Sequence, residues 1–77
     1  MSVTEQLDLR GTPCPINFIR TKLRLEQLPI GSLLEVRLDA GEPVEQVPDS
    51  LRMEGYRVES LEDCQDGSFR LQVLRPA

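Results

Sequence analysis

Residues 7–28 read LDLRGTPCPINFIRTKLRLEQL, and this stretch decides how the whole chain is interpreted. Apolar and polar side chains alternate over residues 7–10, which predicts a short strand. Residues 11–15 have the composition of a turn. The apolar side chains that follow are spaced as in a helix over residues 16–28, and Pro29 ends that helix. A strand, a turn rich in proline and an amphipathic helix therefore open the fold.

One face of this predicted helix is apolar and is expected to pack on the rest of the protein. Phe18, Thr21, Leu25 and Leu28 follow the spacing i, i+3, i+7 and i+10. Three further apolar residues are expected to widen the same buried face. They are Ile16, Ile19 and Leu23.

The rest of the chain predicts three more strands and a second helix. Strands are expected over residues 32–38, 56–61 and 69–74, with a loop over 39–43 and a hairpin loop over 63–68. A short turn before Pro48 and a helix from about Pro48 to Glu54 are expected, with Gly55 as the C-terminal cap. The order β-α-β-α-β-β predicts an α+β fold, a two-layer α/β sandwich. In it, a four-stranded mixed sheet carries two helices on one face, and its first two strands are parallel.

Composition excludes several functional classes. The 77 residues form one domain, 1–77, too small for a substrate pocket of its own. The chain contains no histidine, which excludes a Cys/His catalytic pair and a zinc site with histidine ligands. We predict no cofactor and no metal. A net charge of −4 with three aromatic residues argues against direct binding of nucleic acid.

Cysteine usage and hydropathy indicate where the protein works. Two cysteines, Cys14 and Cys64, are too few for a disulfide scaffold, which favours free thiols in a reducing cytoplasm. The first residues do not resemble a secretory signal, and no apolar run is long enough to insert into a membrane. We predict a cytoplasmic monomer.

Charge is distributed unevenly along the chain. Residues 9–25 contain four bases and no acid, whereas all thirteen acids lie elsewhere. The four bases are Arg10, Arg20, Lys22 and Arg24. They are candidate contacts for a partner protein, or they belong to an ordinary solvated helix face.

Cys14 is the candidate reactive residue because it lies between two prolines at the predicted start of the first helix. Pro15 suits the first helical position, which places Cys14 at or near the N-cap. A helix N-terminus acts as roughly half a positive charge, so it favours the thiolate, which is the nucleophilic form of cysteine. Gly11 is expected to allow a tight approach of the turn. The alternative is a buried cysteine with a structural role.

Four segments of the chain resemble the TusA family of sulfur-carrier proteins, also called SirA-like. They are the run from Leu7 to Pro15, the later Pro29–Ser32 segment, Val47–Pro48 and Gly55–Tyr56. The resemblance implies that Cys14 carries sulfur as a persulfide, with Gly11, Pro13 and Pro15 shaping its surroundings. It also implies loading by a cysteine desulfurase and transfer to a sulfur-acceptor protein. Family outlets are 2-thiouridine formation in tRNA, assembly of the molybdenum cofactor and sulfur oxidation. Such a relay is sulfurtransferase-like, and whether to count it as an enzyme stays open.

Asn17 departs from the family pattern, which reads Cys-Pro-x-Pro where this chain has Cys14-Pro15-Ile16-Asn17. Two arrangements are possible. The backbone N–H of Asn17 points at the Cys14 sulfur and helps to hold an anion there, or Asn17 is itself the N-cap and the helix starts later.

Two other functions compete with sulfur carriage. The first is a regulatory or partner-binding module of the same fold in which Cys14 is not loaded, its partner being for example a membrane transporter. The second is a thiol redox sensor that pairs Cys14 with Cys64 in a reversible disulfide.

Overall fold

A computed structural model describes residues 4–13 and 15–76. The strands and helices follow one another along the chain in the predicted β-α-β-α-β-β order. The strands are β1 (Thr4–Asp8), β2 (Leu33–Asp39), β3 (Arg57–Asp63) and β4 (Ser68–Leu74), and the helices are α1 (Ile16–Gln27) and α2 (Glu42–Met53).

The four strands form one mixed sheet in the order β1-β2-β4-β3. The first two strands are parallel, as predicted, with Leu7 opposite Val36. The β2–β4 and β3–β4 pairs are antiparallel, and Leu71 of β4 lies opposite Val36 on one side and Leu61 on the other. β2 and β4 are therefore the central strands, and β1 and β3 are the two edges of the sheet.

Both helices pack on the same face of this sheet. Side chains from β2 and β4 meet side chains from α1 and α2 in a single apolar core. Its buried members are Leu9, Leu25, Leu28, Leu34, Val36, Leu38, Val47, Leu51, Leu71 and Val73. The predicted two-layer sandwich is confirmed. Neither helix in the described part of the chain is long and apolar enough to span a membrane.

Helix α1 has the predicted length, but its buried face is narrower than predicted. Thr21 and Leu25 are fully buried, whereas Ile16, Ile19 and Leu23 are 47%, 47% and 53% exposed. Successive residues turn about 100° at about 3.6 residues per turn, so these three lie on the side of the helix away from the sheet. The expectation that they widen the buried face is wrong.

Helix α2 begins six residues earlier than the sequence predicted. It starts at Glu42, with Pro43 in the first turn, where a missing N–H leaves no intrahelical bond unmade. Pro48 lies inside the helix and not at its start, and it is buried beside Val47 and Leu51. Burial against the core compensates for the hydrogen bond that Pro48 cannot donate.

Gly55 ends α2, as predicted. It adopts φ +92°, a left-handed conformation that side chains disfavour. The Gly55 N–H donates to the Arg52 carbonyl at 3.0 Å, and the Tyr56 N–H donates to the Leu51 carbonyl at 3.0 Å. These two bonds make a Schellman motif, which satisfies carbonyls at the helix end.

Strand β1 lies earlier in the chain than the predicted residues 7–10. Its pairing with β2 runs from Thr4 opposite Leu33 to Asp8 opposite Arg37. The strand ends there because the backbone N–H of Arg10 turns back to the Asp8 carboxylate at 3.1 Å. The other three strands agree with the predicted bounds to within two residues.

Candidate functional site

The candidate site is the loop of residues 9–13, which joins β1 to the start of α1. Cys14, the predicted reactive residue, lies outside the described residues. Its neighbours on both sides in the sequence are described, and they define the backbone that precedes and follows it.

The 9–13 loop is held by hydrogen bonds to its own backbone and to the end of the sheet. The Leu9 N–H donates to the Arg37 carbonyl of β2 at 3.0 Å, and the Leu9 side chain is 1% exposed. The Thr12 N–H donates to the Leu9 carbonyl at 3.0 Å, which closes a tight turn. The loop therefore starts from an anchored residue.

Gly11 is the residue of this loop with an unusual conformation. Its φ is +80°, and its N–H donates to Oδ2 of Asp39 at 2.6 Å. A Cβ added at Gly11 would meet no heavy atom within 4 Å. The sequence predicted that Gly11 allows a tight approach, but the structure requires glycine for its left-handed backbone.

The helix that follows begins at Ile16, the first residue of the predicted range 16–28. Pro15 is the N-cap of α1 and Ile16 its first residue, whereas the sequence placed Pro15 at the first helical position. The Pro13 carbonyl accepts the Asn17 N–H at 3.1 Å, and the Pro15 carbonyl accepts the Ile19 N–H at 3.1 Å. No acidic residue lies in the first turn, so no carboxylate there opposes the positive end of the helix dipole.

Asn17 is the second residue of α1 and not its N-cap, so the second of the two predicted arrangements is wrong. Its N–H donates to the Pro13 carbonyl at 3.1 Å. The other arrangement, in which this N–H faces the Cys14 sulfur, involves a residue outside the described ranges. The Asn17 side chain is fully buried, with Oδ1 accepting the Phe18 N–H at 2.7 Å. Asn17 thus satisfies a first-turn N–H from inside the core, since the first N–H groups of a helix lack intrahelical partners.

Most of the predicted basic patch is neutralised by ion pairs. Arg10 pairs with Asp8 at 2.7 Å, Lys22 with Glu54 at 2.9 Å and Arg24 with Glu5 at 2.9 Å. Arg20 is exposed and has no ion pair among the described residues. The sequence separates these bases from acids, but the fold brings the acids of β1 and of the end of α2 beside them.

An apolar surface lies on α1 where the sequence predicted burial. Ile16, Ile19 and Leu23 form the outer stripe of α1, which begins two residues after Cys14 in the sequence. Arg20 lies on the same exposed side and, with Leu23, lines a shallow groove against β1. Sequence reasoning missed this surface because apolar residues at helical spacing are usually core.

Cys64 follows β3 directly and is half-buried in the β3–β4 loop. Its N–H donates to the Ser68 carbonyl at 3.0 Å, and the Gly67 carbonyl of the same loop accepts the Ala40 N–H at 3.2 Å. The loop therefore lies at the same end of the sheet as the 9–13 loop. The disulfide with Cys14 that the redox-sensor alternative requires involves a residue outside the described ranges.

A four-stranded mixed sheet covered on one face by two helices places this chain in the class of small SirA-like domains, as a solved structure shows. The crystal structure of a SirA-like protein from Desulfitobacterium hafniense aligns with a TM-score of 0.78. The two are 26% identical, and the alignment covers 95% of this chain and 99% of the other. The family model for sulfurtransferase TusA matches residues 5–75, so the chain belongs to the TusA family.

Curated relatives carry names that agree with this family. A protein of Archaeoglobus fulgidus, named "Putative sulfur carrier protein", is 44% identical over 97% of this chain and 85% of its own length. "Putative sulfur carrier protein YedF" of Escherichia coli is 37% identical over 80% of this chain and 78% of its own length. The resemblance to the TusA family found in the sequence is confirmed, and the relatives to which this chain is similar carry the name of sulfur carrier.

Proposed function

We propose that this chain is a sulfur carrier in which Cys14 holds sulfur as a persulfide between a cysteine desulfurase and an acceptor protein. The Cys14 thiolate attacks the terminal sulfur of the donor persulfide. A sulfur–sulfur bond forms to Cys14 while the donor's sulfur–sulfur bond breaks, and the donor leaves as a thiolate. The exchange is redox-neutral, and its proton stays on the transferred sulfur. An acceptor thiolate removes that sulfur by the same reaction.

The observation that carries this proposal is the hydrogen-bonded 9–13 loop leading into an α1 N-terminus without acids in its first turn. The loop is tied to β2 through Leu9 and Gly11. The positive end of a helix favours a thiolate over a thiol, which raises the population of the nucleophile. A sulfur relay needs no further acid or base, in keeping with a chain that has no histidine.

The outer stripe of α1 supports docking of donor and acceptor proteins on the helix that follows Cys14 in the sequence. Ile16, Ile19 and Leu23 expose apolar surface close in sequence to the candidate cysteine, and Arg20 adds a positive charge. Apolar surface at the centre of an interface with charge beside it is the usual composition of a protein contact. A carrier with two successive partners needs one surface that both can use.

The test is transfer of radiolabelled sulfur from cysteine through a purified desulfurase, followed on a non-reducing gel. Wild type is compared with Cys14→Ser and, as the matched control, Cys64→Ser. We expect label on wild type and Cys64→Ser, its release by a reductant, and none on Cys14→Ser.

Label on Cys14→Ser contradicts the assignment of the persulfide to Cys14. Absence of label from all three proteins, with a desulfurase from the same organism, favours the partner-binding module in which Cys14 is not loaded. Binding of the same desulfurase by the unlabelled protein then distinguishes a retained docking surface from a lost one.

A further inference from the structure

Asp39 reaches from the end of β2 to the loop that precedes the candidate cysteine. Its Oδ2 accepts the Gly11 N–H at 2.6 Å across 28 residues of sequence. The Asp39 backbone is fixed in the sheet, where the residue lies opposite Ser68 of β4. The carboxylate is therefore presented to Gly11 from a rigid element.

The other N–H groups of the loop bond locally or to the backbone of β2. Arg10 donates to the adjacent Asp8 side chain at 3.1 Å, Thr12 to the Leu9 carbonyl at 3.0 Å, and Leu9 to the Arg37 carbonyl at 3.0 Å. The bond to Gly11 is the one among these that comes from a side chain distant in sequence. A change of that single side chain can therefore release the loop without altering the loop's own residues.

Loss of the Asp39 hydrogen bond would affect the conformation of the loop most at Gly11. Glycine has the widest choice of backbone conformations, and here it is held at φ +80°. Pro13 and Pro15, in contrast, have φ restricted by their rings. Without the Asp39 bond, rotation about Gly11 moves every residue between it and the helix, and Cys14 is one of them.

We propose that Asp39 is a positioning residue for sulfur transfer. By accepting the Gly11 N–H, it holds the backbone of the loop that leads to Cys14. The proposal rests on the proposed function of Cys14 as the persulfide carrier. Exchange between a thiolate and a persulfide requires the attacking sulfur and the sulfur–sulfur bond to be aligned, and a partner protein presents its persulfide in one orientation. A small soluble reagent has no such requirement, since it approaches from any open direction.

The experiment compares two reactions of Cys14 in a Cys64→Ser background, where it is the single thiol. The first is single-turnover sulfur transfer from a persulfide-loaded desulfurase at saturating concentration, and the second is alkylation by iodoacetamide. Asp39→Ala removes the acceptor of the Gly11 N–H, whereas Asp39→Asn keeps an oxygen that can accept it. Asp49→Ala is the matched control, because Asp49 is exposed on α2 and pairs with Arg52.

We expect Asp39→Ala to slow sulfur transfer about tenfold or more while alkylation stays within about threefold of the parent, as for a displaced but accessible nucleophile. Asp39→Asn should recover most of the transfer rate, and Asp49→Ala should match the parent. Urea unfolding of each variant shows that the measured protein is folded. If Asp39→Ala does not fold, Asp39→Ser takes its place, because the serine side chain is too short for its hydroxyl to reach the Gly11 N–H.

Equal transfer rates for the parent and Asp39→Ala overturn the positioning role and leave sulfur carriage intact. Equal losses in Asp39→Ala and Asp39→Asn also overturn it, since the charge and not the hydrogen bond would then be responsible. Equal losses in transfer and alkylation indicate a general structural effect and overturn it as well. No sulfur on the parent protein overturns the proposed function and this inference together.

Discussion

Asp8 and Arg10 form a closely bonded pair on the exposed side of the 9–13 loop. The guanidinium of Arg10 donates to both carboxylate oxygens of Asp8, at 3.0 and 2.7 Å, and the Arg10 N–H donates to the same carboxylate at 3.1 Å. These side-chain bonds first, and then the backbone bond, lower the pKa of Asp8 from 3.8 to about 2. The charged form of Asp8 is therefore favoured in the folded protein.

This pair gives the stability of the fold a defined dependence on pH. Because the folded-state pKa of Asp8 is lower than the unfolded one, its contribution is present above pH 3.8 and is lost as the pH falls to about 2. We expect Asp8→Asn to flatten the decline of the unfolding free energy in that window. Urea unfolding at a series of pH values measures it.

A second carboxylate provides an internal comparison for the same measurement. The Ser68 hydroxyl lowers the pKa of Asp66, so Asp66→Asn in addition to Asp8→Asn should flatten the decline further. An unchanged pH dependence in Asp8→Asn contradicts the role given to Arg10.

At the scale of residues, the sequence predicted which positions are special more reliably than it predicted their contacts. Gly11 was identified from the turn composition, but its partner Asp39 was not, because a hydrogen bond across 28 residues depends on the register of the sheet. Asn17 was identified from its departure from a family pattern. Its full burial could not be predicted, since asparagine is usually exposed.

At the scale of elements, α1 was predicted almost to the residue because one amphipathic period runs through it between a proline-rich turn and Pro29. The prediction of its faces was incomplete. Apolar residues occupy more of the helix than the sheet can cover, and the sequence does not say which of them remain outside. The outer stripe of Ile16, Ile19 and Leu23 is the part left exposed.

The outer stripe should matter for partner binding and not for folding. We expect Ile19→Ser and Leu23→Ser each to raise the KM for the persulfide-loaded desulfurase about tenfold, the loss of an interface contact worth about 1.4 kcal/mol. Ile30→Ser is the matched control, because Ile30 is 62% exposed but lies beyond the far end of α1. Steady-state sulfur transfer to Cys14 measures the KM values.

The free energy of unfolding separates this effect from general damage. Ile19, Leu23 and Ile30 are each about half exposed or more. Each substitution should therefore change the free energy of unfolding by about 0.5 kcal/mol or less. An increase in KM for Ile30→Ser equal to that for Ile19→Ser contradicts docking through the stripe.

Helix α2 shows where local rules mislead. Pro48 predicted a helix start because proline is tolerated there, but Pro43 occupies the first turn and the helix continues through Pro48. Pro43 and Pro48 each satisfy the rule that proline is tolerated in the first turn of a helix, so this rule alone does not say where α2 begins. Packing of Val47 and Leu51 on the sheet decides between them, and that packing is a property of the whole fold.

At the scale of the whole molecule, most of the sheet topology could be predicted from the sequence, because few arrangements fit six short elements in the order β-α-β-α-β-β. A strand, a helix and a strand in succession pair in parallel, and two strands joined by a short loop form a hairpin. The sequence did not predict that β4 lies between β2 and β3 in the sheet. Its side chains Leu71 and Val73 are fully buried, whereas β3 leaves Leu61 43% exposed at the sheet edge.

This difference between a central and an edge strand can be measured on one matched pair, because Leu71 and Leu61 are directly opposite each other in the sheet. A chain of this size has a thin core, so a cavity in its middle is not relieved by collapse of neighbouring layers. We expect Leu71→Ala to lower the free energy of unfolding by about 2–5 kcal/mol, against a total of roughly 5–15 kcal/mol for a small domain. Leu61→Ala should lower it by about 1 kcal/mol or less, since its side chain already contacts water. Urea unfolding followed by circular dichroism gives both values. A loss for Leu61→Ala as large as that for Leu71→Ala would mean that β3 is covered by another surface in solution, and the edge of the sheet would then be an interface.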